Sequence, residues 1–149
     1  MVENDASAVP RPLVIGWKEY VAFPEWSIPR LKVKIDTGAR TSALGVIGYE
    51  IHQDGGNGIV ELSIPLSRKR PERVAVVRAP VLRMVHVRNT SGQCVERPLI
   101  EAVIRLGPVT KHVRLTVADR SGMRFPMILG RKALENDFVV DVSKKYLLK

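Results

Sequence analysis

Cysteine is almost absent: Cys94 stands alone in 149 residues, which excludes an internal disulfide and any cysteine-rich metal cluster. With no base assigned to it, Cys94 reads as a half-buried small residue rather than a nucleophile. The three histidines, His52, His86 and His112, lie far apart in strand-like contexts with no His-Glu-x-x-His pattern, so no metal site is read from them. No Gly-x-x-x-x-Gly-Lys-Ser/Thr motif occurs, and a function that consumes ATP would need a partner to bind it. No apolar run reaches the length of a membrane span, and Met1 to Arg11 carries acids without an apolar core, so it is not a secretory signal. No membrane contact is expected, and the cytoplasm is the default location. Aromatic residues are only 5% of the chain. They do not interleave with its densest basic run as a base-stacking platform would require.

What the chain has instead is apolar content and positive charge. Hydrophobic residues reach 45%, enough for one core at this length and too little chain for two full domains. Abundant Val and Ile, with Gly and Pro punctuating every ten or so residues, favour a mainly β fold built from short strands. Met1 to Pro12, polar and closed by prolines, is expected to be a flexible tail ahead of a single domain over residues 13–149. The net charge is +9, a field that concentrates polyanions. Nucleic acid, a ribosomal surface or a glutamate-rich peptide would all suit it. The run Arg68-Lys69-Arg70-Pro71-Glu72-Arg73 reads equally as a solvated loop that maintains solubility.

Taken in order, Leu13 to Trp17 and Tyr20 to Phe23 read as strands, and Trp17 and Trp26 as packing residues. Val46 to Ile51 and Ile59 to Leu66 flank the glycine-rich turn Gln53-Asp54-Gly55-Gly56-Asn57-Gly58 as a hairpin. Arg73 to Val77, Val81 to Arg88, Arg97 to Gly107, His112 to Val117 and Phe138 to Val142 continue the strand pattern. Arg88 to Gln93 is a clear turn, and Lys132 to Asn136 is a short helix.

Two segments carry chemistry. Leu31, Val33 and Ile35 alternate with Lys32 and Lys34, a half-buried strand that delivers Asp36 to the loop Asp36-Thr37-Gly38-Ala39-Arg40-Thr41-Ser42. Gly38 lets two backbones approach closely. Alone, Asp36 in such a loop reads as well as a turn former that bonds nearby amides. Late in the chain, Met127-Ile128-Leu129-Gly130-Arg131 is an apolar run closed by Gly. Paired in this order, the two segments resemble the retropepsins, in which an apolar-apolar-Gly strand crosses beside the aspartate loop and its Gly leaves room for packing.

With Ile15-Gly16-Trp17 and Leu115 to Met123 added, the stretch from Leu13 to Leu148 resembles one retropepsin-like family. It is labelled ATP-dependent zinc protease and is often encoded beside an ATP-grasp ligase that adds glutamates to a ribosomal protein. The resemblance implies a closed β-barrel with one short C-terminal helix. It also implies an aspartic endopeptidase with Asp36 catalytic, Thr37, Gly38 and Ala39 supporting it, and Ile128, Leu129 and Gly130 structural at the site. The turn containing Ser91 and Gly92 would be the tip of a flap, though an ordinary surface hairpin fits the same letters. An ATP-grasp ligase becomes a candidate partner, and an acidic or glutamate-extended protein a candidate substrate.

The aspartic mechanism needs two carboxylates sharing one proton. This chain has one Asp-Thr-Gly, so a twofold homodimer is expected. Retroviral enzymes carry an acid four places after the aspartate that pairs with the Arg following the late Gly. Here Arg40 and Arg131 occupy those places, so some other acid, such as Glu135 or Asp119, would have to complete the lock. Arg40 and Arg131 become candidates for dimer contacts or for binding an acidic side chain. Zinc finds no support, since Leu44-Gly45-Val46 stands where members often carry a His. The alternative to a peptidase is a non-catalytic basic adaptor of the same fold for a ligase, a ribosomal protein or RNA.

Overall fold

The computed structural model describes residues 10–53, 56, 58–88, 91–120 and 123–148. Among the described residues, twelve strands, a 3-10 turn (Pro24–Trp26) between β2 and β3, and one α-helical turn follow one another: β1 (Leu13–Ile15), β2 (Lys18–Phe23), β3 (Ile28–Ile35), β4 (Ser42–Val46), β5 (Gly48–His52), β6 (Ile59–Pro65), β7 (Val74–Pro80), β8 (Arg83–Arg88), β9 (Cys94–Leu106), β10 (Val109–Asp119), β11 (Met127–Leu129), α1 (Arg131–Leu134) and β12 (Phe138–Val140). The mainly β expectation and the late short helix agree with this. Alternation explains β3, where Leu31, Val33 and Ile35 are buried while Lys32 and Lys34 are exposed.

The largest sheet runs β10-β4-β11-β3-β2-β9-β8, and β9 also pairs with β10. Six strands therefore form a ring of pairings, with β8 left outside as an edge. Two of these pairings are parallel and span most of the sequence: β10 with β4, and β11 with β3. Inside sit Phe23, Leu31, Leu44, Ile100, Ile104, Leu115 and Met127, each under 2% exposed. Burial of each such side chain contributes roughly 1.5–3 kcal/mol. A separate sheet, β5-β6-β7, and a parallel pair, β1 with β12, complete the fold.

Several details differ from expectation. Val46 closes β4, pairing with Asp119, and does not open the following hairpin. The chain changes sheets at Ile47, whose N–H donates to the Ser63 carbonyl at 2.8 Å. Strand β9 starts at Cys94, earlier than Arg97, because Cys94–Pro98 finds partners along β8. Cys94 is exposed, not half-buried, since it sits at the far end of that hairpin beyond the core. Trp17 and Trp26 pack as expected, edge-on to Phe125 at 6.0 Å and stacked on Phe23 at 4.9 Å. Of the expected tail, residues 1–9 lie outside the described residues, and Arg11 is fastened to Asp137 at 2.9 Å.

Candidate active site

Strand β3 ends at Ile35 and hands the chain to Asp36, whose backbone N–H donates to the Leu129 carbonyl at 2.8 Å. The parallel pairing of β11 with β3 thus continues into the loop. Within the loop, the Gly38 N–H donates to Asp36 Oδ1 at 3.0 Å and the Ala39 N–H to the Asp36 carbonyl at 3.2 Å. Asp36 is half-buried, with Thr37, Gly38 and Arg40 exposed around it.

The segment after β11 braces this loop from behind. Gly130 N–H donates to the buried Ser42 hydroxyl at 3.0 Å, Arg131 N–H to the Ala39 carbonyl at 2.8 Å, and Lys132 N–H to the Arg40 carbonyl at 3.0 Å. A Cβ on residue 130 would lie 2.8 Å from the Ala39 oxygen and 2.9 Å from the Arg40 carbonyl. Only glycine permits that approach. The Arg131 guanidinium donates to the Thr37 carbonyl at 3.1 Å, and Glu135 bonds Lys132 at 3.2 Å. A main-chain carbonyl therefore stands where a retroviral enzyme uses a carboxylate against this Arg. Ile128 is half-buried and lines the adjoining groove, while Leu129 is fully buried.

That groove has a volume of about 1120 Å³. It is lined by Ala43 of β4, the end of β10, the Ala39–Thr41 segment and the β8–β9 hairpin. The hairpin overhangs, since β9 pairs with β10 only from Leu99 onward while Cys94–Pro98 pairs with β8 alone. Its turn holds the exposed Ser91 and Gly92, and residues 89 and 90 fall outside the described residues. Gly92 takes a φ of +86°, a conformation that glycine adopts without strain. The Arg88 guanidinium donates to its carbonyl at 2.6 Å.

The groove is strongly cationic. Arg40, Arg83, Arg88, Arg97, Arg114, Arg120 and Lys132 line it, against the carboxylates Glu96 and Asp119. Arg120 is half-buried and donates to the Phe125 carbonyl at 3.1 Å. Burial pulls its guanidinium below the ordinary arginine value, Arg97 adds to the shift, and Asp36 opposes it. Arg97 and Asp36 therefore each lie within electrostatic reach of Arg120. Sequence reading missed Ser42, Arg97, Arg114 and Arg120 as site residues. Arg120 had one signal, a cation two places after the buried run Leu115–Ala118.

Among the described residues, one set offers three metal-ligating atoms within 4.8 Å of one another: Glu50, His52 and Glu61. It lies on the β5–β6 hairpin, on another sheet from the Asp36 loop. Arg78 already holds Glu61 at 3.2 Å, so the set is a cross-strand charge ladder as it stands. Around Asp36 the arginine-rich lining does not fit a zinc ion, which needs several His, Cys or carboxylate ligands converging on one point.

The profile of the retropepsin-like aspartic endopeptidase RimB family matches residues 14–149. The chain belongs to this RimB-like family. Curated relatives of the RimB-like chain are named as probable alpha-L-glutamate ligases. The protein from Desulfotalea psychrophila is 33% identical over 131 residues, 86% of this chain and 28% of its own length. That from Shewanella halifaxensis is 29% identical over 135 residues, 91% of this chain and 30% of its own. The RimB-like chain thus spans under a third of the curated relatives it matches. A crystal structure of a Legionella pneumophila protein of unknown function, assigned to DUF785, superposes with a TM-score of 0.75 at 18% identity, covering 92% of this chain and 98% of that one. That likeness shows the fold.

Proposed function

We propose that this RimB-like protein is an aspartic-type endopeptidase that works as a homodimer and cleaves acidic, glutamate-rich segments. The observation that carries the reading is the placement of Asp36 beside a groove lined by seven cations. A chain of carboxylates entering that groove would be held by charge-assisted bonds to Arg40, Arg97 and Arg114. Relatives named as glutamate ligases, which contain a stretch similar to this chain, support a substrate made by glutamate addition. An ATP-grasp ligase is the matching partner.

Two Asp36 carboxylates, one from each protomer, would face one water. One takes its proton as it attacks the scissile carbonyl, and the other protonates the carbonyl oxygen. The Arg131 bond to Thr37 and the Ser42 bond to Gly130 hold each loop in place for that approach. Closing of the β8–β9 hairpin, with Ser91 and Gly92 at its turn, would exclude water from the bound peptide. The ring of pairings from β10 through β9 and back supports a closed barrel as the frame.

The test is product analysis by mass spectrometry after incubating wild type and Asp36→Asn with peptides that include oligo-glutamate tails, each with and without a chelator. Cleavage that survives chelation and is lost in Asp36→Asn supports the aspartic reading. Loss on chelation alone replaces it with a metallopeptidase. Absence of cleavage at high protein concentration and across pH favours a non-catalytic adaptor that uses the same cationic groove.

A further inference from the structure

A second concentration of positive charge lies outside the groove, on the outer face of β2 and β3. Lys18 stands opposite Lys34 and Tyr20 opposite Lys32 in the antiparallel register. These four side chains therefore share one face, and Arg30 follows Lys32 on it at the next alternate position. Like charges directly across a sheet are destabilising. The usual remedy, an interleaved acid, is missing: among the described residues no carboxylate pairs with Lys18, Arg30, Lys32, Lys34, Arg124 or Lys145. Glu19, the acid next in sequence, is fully buried on the opposite side.

The cations are held by rings instead. The Arg30 guanidinium lies 3.7 Å from the centre of the Tyr20 ring, and Tyr20 stacks on Tyr146 at 4.6 Å. Lys18 Nζ lies 5.3 Å from the Tyr146 ring and 4.8 Å from that of Trp17. The result is a column in which Arg30 and Lys18 flank the stacked Tyr20–Tyr146 pair, which fixes the charges at little further entropic cost. Desolvation, followed by the fields of Lys145, Arg124 and Lys32, draws the Lys18 ammonium below the usual lysine value. Those three cations act on Lys18 from three separate segments.

We infer that this face binds the phosphate backbone of a nucleic acid, independently of the Asp36 groove. An acidic peptide fits it less well, because extended peptides dock on sheet edges or in grooves. Here β3 is flanked by β11 and β2; β2 meets β9 only at Ala22, and at its start the Tyr146 N–H donates to the Lys18 carbonyl at 2.9 Å, so the C-terminal segment already occupies that side. A phosphate backbone needs only correctly placed cations. The ring faces of Tyr20 are covered by Arg30 and Tyr146, leaving base stacking no platform there. Binding is therefore indifferent to sequence and steeply dependent on salt.

The test is fluorescence anisotropy of a labelled mixed-sequence single-stranded RNA of about 20 nucleotides, titrated with the full chain across a salt series. Lys32→Glu combined with Lys145→Glu should weaken binding at least tenfold at low salt. Removing two phosphate contacts should also make the log–log salt slope shallower by about 1.4. Arg68→Glu with Arg70→Glu, on the β6–β7 loop, should leave affinity within twofold. If the charge-reversed pair fails to fold, Lys32→Gln with Arg124→Gln removes charge without reversing it and should still weaken binding severalfold. No binding at low salt overturns the inference, as does equal loss in the loop variant. Displacement of the RNA by oligo-glutamate of matched charge, as effective as displacement by unlabelled RNA, would reassign the face to acidic peptides.

Discussion

Glu19 and Asp36 are carboxylates at the two ends of the β2–β3 hairpin region, and the fold treats them in opposite ways. Glu19 is fully buried and accepts from the Gly16 N–H at 2.7 Å, the Leu147 N–H at 2.9 Å and the Leu148 N–H at 3.2 Å. Both carboxylate oxygens accept, and the side chain ties the last described residues to the first strands. Asp36 is half-buried, and among the described residues only its Oδ1 receives a donor, the Gly38 N–H at 3.0 Å. The rest of the bracing at its loop goes to main-chain atoms and to the Ser42 hydroxyl, not to the carboxylate. A carboxylate saturated with buried donors builds structure, and one whose surroundings are rigid while it remains accessible is available for chemistry.

That contrast is sharpest when each acid is neutralised in place. Asp36→Asn should lower peptide cleavage by about a thousandfold or more, the scale of losing a positioned acid or base, with little change in the thermal midpoint. Cleavage that persists in this variant would remove the distinction. Glu19→Ala should do the reverse, costing on the order of 3 kcal/mol in denaturant unfolding because three amides lose their acceptor, with kcat per folded molecule nearly unchanged. A stability equal to wild type would show that water replaces the carboxylate freely.

Smaller changes probe the bracing. Gly130→Ala should cost about 2 kcal/mol and depress activity, because the new methyl meets the Ala39 and Arg40 carbonyls; urea unfolding reports the first effect and turnover the second. Ser42→Ala, which leaves the buried Gly130 N–H without its acceptor, should cost about 1–2 kcal/mol by the same measurement. The smallest effect concerns a third carboxylate. Asp141 is held below the usual range by the Ser143 hydroxyl and then the Ser143 N–H. A lowered folded-state value means stabilisation present above the unfolded value and lost as pH falls through the folded one. Ser143→Ala should raise the Asp141 midpoint in an NMR titration, and an unmoved midpoint would exclude the hydroxyl as the cause.

Legibility in the sequence followed the range of the interactions. Strands with clean alternation, such as β3 and β6, and the helix after Gly130 could be read locally. Asp36 and Gly130 could be paired because each sits in a short segment with its own pattern. Ser42 could not be seen as the acceptor for Gly130, since nothing local distinguishes it from Thr41, which is exposed. The groove cations escaped for the same reason: Arg97, Arg114 and Arg120 meet only through the pairings of β9 with β10 and β10 with β4. Neither was the cation–aromatic column visible, because Tyr146 reaches Tyr20 from the opposite end of the chain.

The bonds from Gly130, Arg131 and Lys132 back to Ser42, Ala39 and Arg40 also set an order of events during synthesis. The Asp36 loop emerges from the ribosome early, but its brace is translated only when most of the chain is out. Such long-range closure is slow, since distant segments must meet before either is rewarded. A nascent chain therefore carries the aspartate long before it carries a shaped loop around it.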